Sequence, residues 1–288
     1  MATPATAPAS EAPDAAPAAQ AGSARRTVLR TRDGRTRRHA DDVAEEVPVA
    51  FVVNDAPFAV MMATPADLED FAAGFLLSEG IVDEAGEAVL ESIERLLEGI
   101  ELRLRIPDAR NAALERRRRS LSGRSGCGLC GSELLEAALR RPEPVGEGHA
   151  ISTAALHRAL RELRAGQALA DRTGATHAAG WAAAGDGAVR LVREDVGRHN
   201  ALDKLIGAML RAGEDPLSGF AVVTSRASYE MAMKAAGAGI PLLAAVSAPT
   251  ALAISLAEAC NLTLVGFARE DGHAVYTHPR RLQPDAIA

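Results

Sequence analysis

The sequence predicts an α/β chain in two parts: a C-terminal mixed sheet covered by helices, and a smaller N-terminal β-containing domain of α+β character. Three observations predict it. In the second half, apolar segments at 220–224, 240–246 and 262–267 alternate with helical stretches at 228–238 and 250–260. That rhythm belongs to a mainly parallel or mixed sheet covered by helices. In the first half, β-branched runs precede one amphipathic helix, and a stretch rich in Pro and Gly, 141–151, separates the two halves. The chain has 288 residues, 48% hydrophobic and 24% charged. That is enough for one large domain or two small ones, with a core that needs no disulfides.

Residues 1–24 are Ala- and Pro-rich and read as a disordered tail. They lack the basic start and Leu-rich centre of a signal peptide. A basic stretch, 25–39, and an acidic patch, 41–46, follow. Val47–Val53 and the run 58–62, joined at Asn54-Asp55, read as a hairpin. Thr64-Pro65 opens a helix: Thr64 is placed to cap it, and Asp67 and Glu69 lie at the positive end of its dipole. Leu68, Phe71, Phe75 and Leu76 recur at helical spacing, and Gly80 ends the helix. Residues 101–106 alternate as a strand does. The stretch 109–119 reads as a helix, 120–131 as a mobile loop and 132–140 as a short helix. The N-terminal domain is thus 25–140, and 141–151 is a linker. Ser152 caps an amphipathic helix running to Leu169. His177–Ala183 and the run 189–193 can pair, and 198–211 is helical. The C-terminal domain spans 152–280, and 281–288 is a tail.

The net charge of −6 and an aromatic content of 3% argue against a nucleic-acid-binding face. The weakly charged stretch 235–268 contains Glu258, Pro241 and Pro249, which argues against a membrane span. Three cysteines are too few for a secreted disulfide scaffold, so a cytoplasmic location is expected.

Cys127 and Cys130 stand in Gly126-Cys-Gly-Leu-Cys-Gly131. A structural zinc needs a second ligand pair, and the only other cysteine is Cys260, inside a helical pattern. No metal site is expected. A redox dithiol belongs at a helix start, whereas glycines flank both cysteines here. A sulfur carrier suits the surroundings better. A mobile thiolate beside Arg116–Arg119 and Arg124 can take a sulfane sulfur as a persulfide. Two ordinary loop cysteines remain the plain alternative.

The segment Arg193 to Lys204 places Asp195, Arg198, His199, Asn200, Asp203 and Lys204 at a strand-to-helix junction, where open α/β sheets bind ligands. Ser225, Arg226, Ser228, Glu230 and Lys234 follow one strand later, and Ser247 to Thr250 forms a third polar junction. Together they suggest one pocket for a phosphorylated or nucleotide-like ligand. Neither a P-loop nor GxGxxG stands at these three junctions. His177 beside its strand, Cys260 and Trp181 read most simply as core residues.

These motifs, in order, resemble the formate dehydrogenase accessory sulfurtransferases, the FdhD family. The likeness runs from Val47 to His278 and rests on Thr64 to Phe71, Gly74-Phe75, Ser78-Glu-Gly80, Cys127 to Gly131, Thr173-Gly with His177, Arg193 to Lys204, Ser225 to Met231, Ser247 to Thr250, Gly266-Phe267 and Val275 to Thr277. The resemblance implies a sulfur carrier that accepts sulfur from a cysteine desulfurase on Cys127, assisted by Cys130. It would pass this sulfur to the molybdenum (or tungsten) bis-molybdopterin guanine dinucleotide cofactor of formate dehydrogenase. It also implies a homodimer and a C-terminal half with the cytidine deaminase fold, without its zinc. The matching cofactor-contacting stretch is Phe267, Ala268, Arg269, Glu270, Asp271 and Gly272. His177, Asp195, Arg198, His199, Ser225, Arg226 and Lys234 are added from the strand-end argument. The other class of function open to such a chain is a cofactor-binding chaperone without sulfur chemistry. A dithiol oxidoreductase is a third.

Overall fold

The computed structural model describes residues 21–84, 86–115 and 141–284. Cys127, Cys130, the expected helix over 132–140, the stretch 116–119 and residues 1–20 of the expected tail lie outside them.

The described chain opens with a ribbon of two antiparallel strands, β1 (Ser23–Arg32) and β2 (Arg35–Ala44), paired from Ser23 opposite Ala44 to Arg32 opposite Arg35. Asp33 and Gly34 turn at φ 52° and 72°, the two left-handed positions of a type I′ hairpin. The basic stretch is therefore strand, and its Asp-Gly pair is the signal for the turn.

β3 (Val47–Val53) and β4 (Ala56–Ala63) form the expected hairpin, with Asn54 and Asp55 both left-handed. β5 (Val89–Arg95) and β6 (Ile100–Arg105) complete a sheet of order β4-β3-β6-β5. One face of it buries Val49, Phe51, Val53, Leu102 and Leu104. That face packs on α1 (Leu68–Ser78), where the Phe51 ring lies 5.1 Å from Phe71 and 4.3 Å from Phe75. The cap of α1 is Asp67, not Thr64, and Asp67 makes no side-chain cap bond. Thr64 is engaged elsewhere, as described below.

In the C-terminal half, β7 (Ile151–Ser152) leads into α2 (Thr153–Ala165) and α3 (Ala168–Thr173). Ser152 caps α2 by accepting from Ala155 N at 3.1 Å. There follow β8 (His177–Ala183), β9 (Val189–Asp195), α4 (Arg198–Ala212), β10 (Gly219–Val223), α5 (Tyr229–Gly237), β11 (Leu242–Ala245), α6 (Ala251–Ala259), β12 (Thr263–Arg269) and β13 (Gly272–Val275). The six strands form one mixed sheet of order β13-β12-β11-β10-β8-β9, parallel across β10, β11 and β12. All five residues of β10 are buried, as expected of a strand covered on both faces. Ala178, Ala182, Phe220, Val222, Leu242 and Ala244 face α2. Their alternates Ala179, Trp181, Ala221, Val223, Leu243 and Ala245 face the core shared with α4, α5 and α6.

That second core does not stop at the linker. It continues through α4 and α1 to Phe51 and Leu102 of the N-terminal sheet. Helices α1 and α4 meet at glycines. A Cβ on Gly74 would lie 1.8 Å from Asp203 O, and one on Gly207 1.8 Å from Asp70 O. Asp70, buried at the crossing, accepts from Arg193 Nε and Arg211 Nη1, each at 2.7 Å.

Residues 281–283, expected as tail, belong to the fold. β14 (Leu282–Gln283) pairs with β7. Buried Arg281 donates to the linker carbonyls of Gly146 and Glu147 and to Asn261 O, so its guanidinium fastens the linker to the C-terminal sheet. Cys260, 1% exposed, donates to Pro142 O, and Trp181 is wholly buried. Among the described residues no helix is long and apolar enough to cross a membrane.

Candidate functional site

β10, β11 and β12 end at one edge of the six-stranded sheet, β9 ends there too, and β8 starts there. That edge collects His177, Asp195 and the loops after β10, β11 and β12. The loops are laced together by their backbones. Thr224 N donates to Ala178 O, Thr250 N to Ala227 O and Phe267 N to Ser247 O, at 3.0 to 3.1 Å. The three polar junctions singled out in the sequence are therefore neighbours along one edge.

Below the edge lies a buried charge network. Asp195, wholly buried, accepts from Thr64 N at 2.9 Å, from Gly197 N at 2.8 Å and from Asn200 Nδ2 at 3.0 Å. Lys204, also wholly buried, holds its ammonium 2.6 Å from Asp195 Oδ2 and donates to Thr64 O at 2.9 Å. Thr64 Oγ1 in turn accepts from Val196 N at 3.1 Å. The segment before α1 is thereby bonded to the loop that starts α4. Asp195 does not reach the surface, and its ion-pair partner is Lys204.

Lys234 belongs to a second buried network. Its Nζ donates to Ser78 Oγ, to Glu79 Oε1 and to both oxygens of Asp203, at 2.8 to 3.0 Å. Burial pushes the Asp203 carboxyl up to about 6, against the pull of Lys234. Burial acts to lower the Lys234 ammonium, but Asp203 and Glu79 outweigh it and the net direction is upward. The structure thus sets Lys234 between α1, α4 and α5, away from the edge where the sequence spacing predicted it. Only one helical turn separates it from Glu230, yet that turn carries the side chain from solvent to core. The sequence carried a signal for this network in Ser78-Glu79-Gly80, which reads as a helix stop and also supplies two of the lysine's partners.

At the edge proper stand Arg198, His199 and His177. His199 Nε2 lies 2.8 Å from Glu230 Oε2, a contact across the starts of α4 and α5 that is an ion pair when the imidazole is protonated. The nearby His199 side chain holds the Glu230 carboxyl below its ordinary value. Burial, with the charges of Arg198 and His199, lowers the His177 imidazole. His199 Nε2 has only its contact with Glu230, and Arg198 Nε and Ser228 Oγ are buried here without a hydrogen-bond partner. Both belong to the first turns of helices, where free backbone amides favour anions. An anionic ligand fits that donor set, because a buried donor left unpaired costs about 1–3 kcal/mol. Ser225 is buried with Oγ bonded to Arg226 O at 3.1 Å, whereas Arg226 is exposed. In the stretch 267–272, Phe267 is 48% exposed, Arg269, Glu270 and Asp271 are exposed, and Ala268 is buried in the core beneath α2. Its methyl group is therefore core and not ligand-facing. Among the described residues no cluster of three or more metal-ligating side chains occurs.

Comparison with known proteins adds three findings. The model of the FdhD/NarQ family matches residues 44–283. A protein of Xanthomonas euvesicatoria pv. vesicatoria (strain 85-10) named sulfur carrier protein FdhD is 62% identical over 261 residues, covering 91% of this chain and 92% of that one. One of the same name from Cupriavidus necator is 55% identical, covering 90% of each chain. Among solved structures, a protein from Desulfotalea psychrophila described as a formate dehydrogenase accessory protein superposes with a TM-score of 0.70. It is 26% identical, and the match covers 91% of this chain and 99% of that one.

Proposed function

Because the chain belongs to the FdhD/NarQ family, we propose that it is a sulfur carrier in the maturation of formate dehydrogenase. It takes sulfur from a cysteine desulfurase onto Cys127 and delivers it to a molybdenum (or tungsten) bis-molybdopterin guanine dinucleotide cofactor held at the sheet edge. The relatives' name and the description of the structural neighbour support the coarser role. The observation that carries the finer one is the pair Cys127 and Cys130 in the glycine-rich run Gly126 to Gly131, in a chain 62% identical to a protein named as a sulfur carrier. The unpartnered donors at Arg198 and Ser228 support an anionic cargo at the edge. The family resemblance further implies a cytoplasmic homodimer with a cytidine-deaminase-like C-terminal half.

The chemistry balances with the two thiols and an external dithiol reductant. The Cys127 thiolate attacks the terminal sulfur of the desulfurase persulfide, and the desulfurase cysteine leaves as a thiolate. Attack of the Cys130 thiolate on Cys127 Sγ then forms a disulfide and releases the outer sulfur as hydrosulfide. The electron pair comes from Cys130, and the hydrosulfide is delivered to the metal of the cargo. A dithiol reductant returns the pair to thiols.

Incubation with a cysteine desulfurase and cysteine, followed by intact mass and peptide mapping, tests this. We expect a reducible gain of about 32 Da on Cys127. Cys127→Ala should abolish formate dehydrogenase maturation while leaving folding and guanine-nucleotide binding unchanged. Full maturation by that variant would instead make the chain a cofactor chaperone, and damage from the sheet-edge variant Arg226→Ala would then exceed that from Cys127→Ala.

A further inference from the structure

The ribbon β1–β2 begins before the segment matched by the family model, which starts at residue 44. Seven arginines and three aspartates fall within residues 23–44, in a chain whose net charge is −6. Their spacing is not even between the two faces. The pairing sets Arg30 opposite Arg37 and Arg32 opposite Arg35, and strand alternation adds Arg26 and His39 to the same side. Only Asp41 opposes them there, paired with Arg30 at 3.0 Å. Arg32, Arg35 and Arg37 have no carboxylate partner among the described residues. A cleft of about 490 Å³ opens among Arg30, Arg32, Arg35, Arg37, Arg38 and His39, with the turn residue Asp33 as its one carboxylate.

Like charges directly opposite one another destabilise a strand pair, and a lone two-stranded ribbon is marginal in water to begin with. An anionic partner removes both penalties. We propose that this face of the ribbon is a docking arm for an acidic protein surface on the formate dehydrogenase that receives the cofactor. The choice of partner rests on the function proposed above and on where the ribbon is rooted. Gly22 lies against Thr64, close enough that a Cβ would meet Thr64 Cγ2 at 2.7 Å. Thr64 is bonded to Asp195 and Val196 beneath the sheet edge. Asp42 of β2 faces Arg172 of α3 at 3.7 Å. The arm is therefore rooted beside the sheet edge at which the cargo is proposed to sit. Two features favour protein over nucleic acid. Residues 23–44 contain no Phe, Tyr or Trp to stack on bases. The rest of the chain is more acidic than the whole, and it would repel a long polyanion lying along the arm.

Binding of the full chain to cofactor-free formate dehydrogenase tests the proposal, at about 50 mM and about 500 mM salt. The quadruple variant Arg30→Glu, Arg32→Glu, Arg35→Glu, Arg37→Glu should lose about tenfold or more in affinity at low salt. The gap should narrow at high salt, and Arg→Lys at the same four positions should keep most of the affinity. Equal affinity of the reversed and native chains, or no binding by the native chain, overturns it. So does loss of binding to random-sequence duplex DNA in the reversed variant with formate dehydrogenase binding intact, which would assign the arm to nucleic acid. Persulfide formation on Cys127, followed in the same variants, reports separately on the carrier function. If the native chain takes no sulfur, that function fails whatever the arm does.

Discussion

His177 stands at the start of β8 with Arg198 and His199 as its charged neighbours. Burial and those two cations lower its pKa below the ordinary 6.5. The folded chain therefore holds fewer protons than the unfolded one just below pH 6.5, and His177 contributes stability that is lost as pH falls through that window. A phosphate-bearing ligand at the edge reverses the local field and favours the imidazolium. Guanosine diphosphate should accordingly bind with proton uptake and more tightly as pH falls below 6.5. Calorimetry in two buffers of different ionisation enthalpy reads the uptake, and His177→Gln should remove it. The same uptake in that variant would place the ligand elsewhere. The sequence showed the polar residues of this edge but not their depth. Asp195 and Arg198 are three residues apart, and nothing in the spacing says that one ends in the core and the other at the rim. Depth is decided by what packs above, here the segment around Thr64, more than a hundred residues away.

Helices α1 and α4 illustrate the same limit among elements. By propensity alone, Gly207→Ala should stabilise α4 by about 0.5–1 kcal/mol. The crossing decides otherwise, because the new methyl would sit 1.8 Å from the Asp70 carbonyl. Overpacking of this kind costs about 1–3 kcal/mol and is not relieved by a rotamer change, since the obstacle is backbone. Gly207→Ala should therefore lower the urea midpoint, and a raised midpoint would show that the helices can part without loss. Most helices and core strands were legible from the 3.6-residue and two-residue periods of their apolar side chains. The ribbon β1–β2 was not, because alternating arginines hide the apolar–polar contrast on which strand recognition depends. Strand β5 was hidden too, since it exposes Val89 and Ile93 and so lacks a clear buried face.

At the scale of the whole molecule, two buried lysines join the halves. Lys204 takes Thr64 O from one side of the linker and Asp195 from the other, and Lys234 takes Ser78 and Glu79 from one side and Asp203 from the other. Lys204→Met keeps much of the side-chain volume and strands the Asp195 carboxylate. Breaking one side of a buried pair costs about 3–5 kcal/mol, so the variant should unfold at markedly lower denaturant while still showing one transition. Two separate transitions would mean that the halves fold independently and that these bonds are incidental. Asp195→Leu offers no remedy, because it would orphan the Thr64 and Gly197 amides. Cys260 completes the picture in a different way. Its thiol is raised by burial and sealed beneath the linker, so alkylating reagents reach it only when the C-terminal half opens. Its labelling rate under native conditions is a built-in clock for that opening, running in the same chain and the same tube as the sulfur chemistry proposed for Cys127 and Cys130.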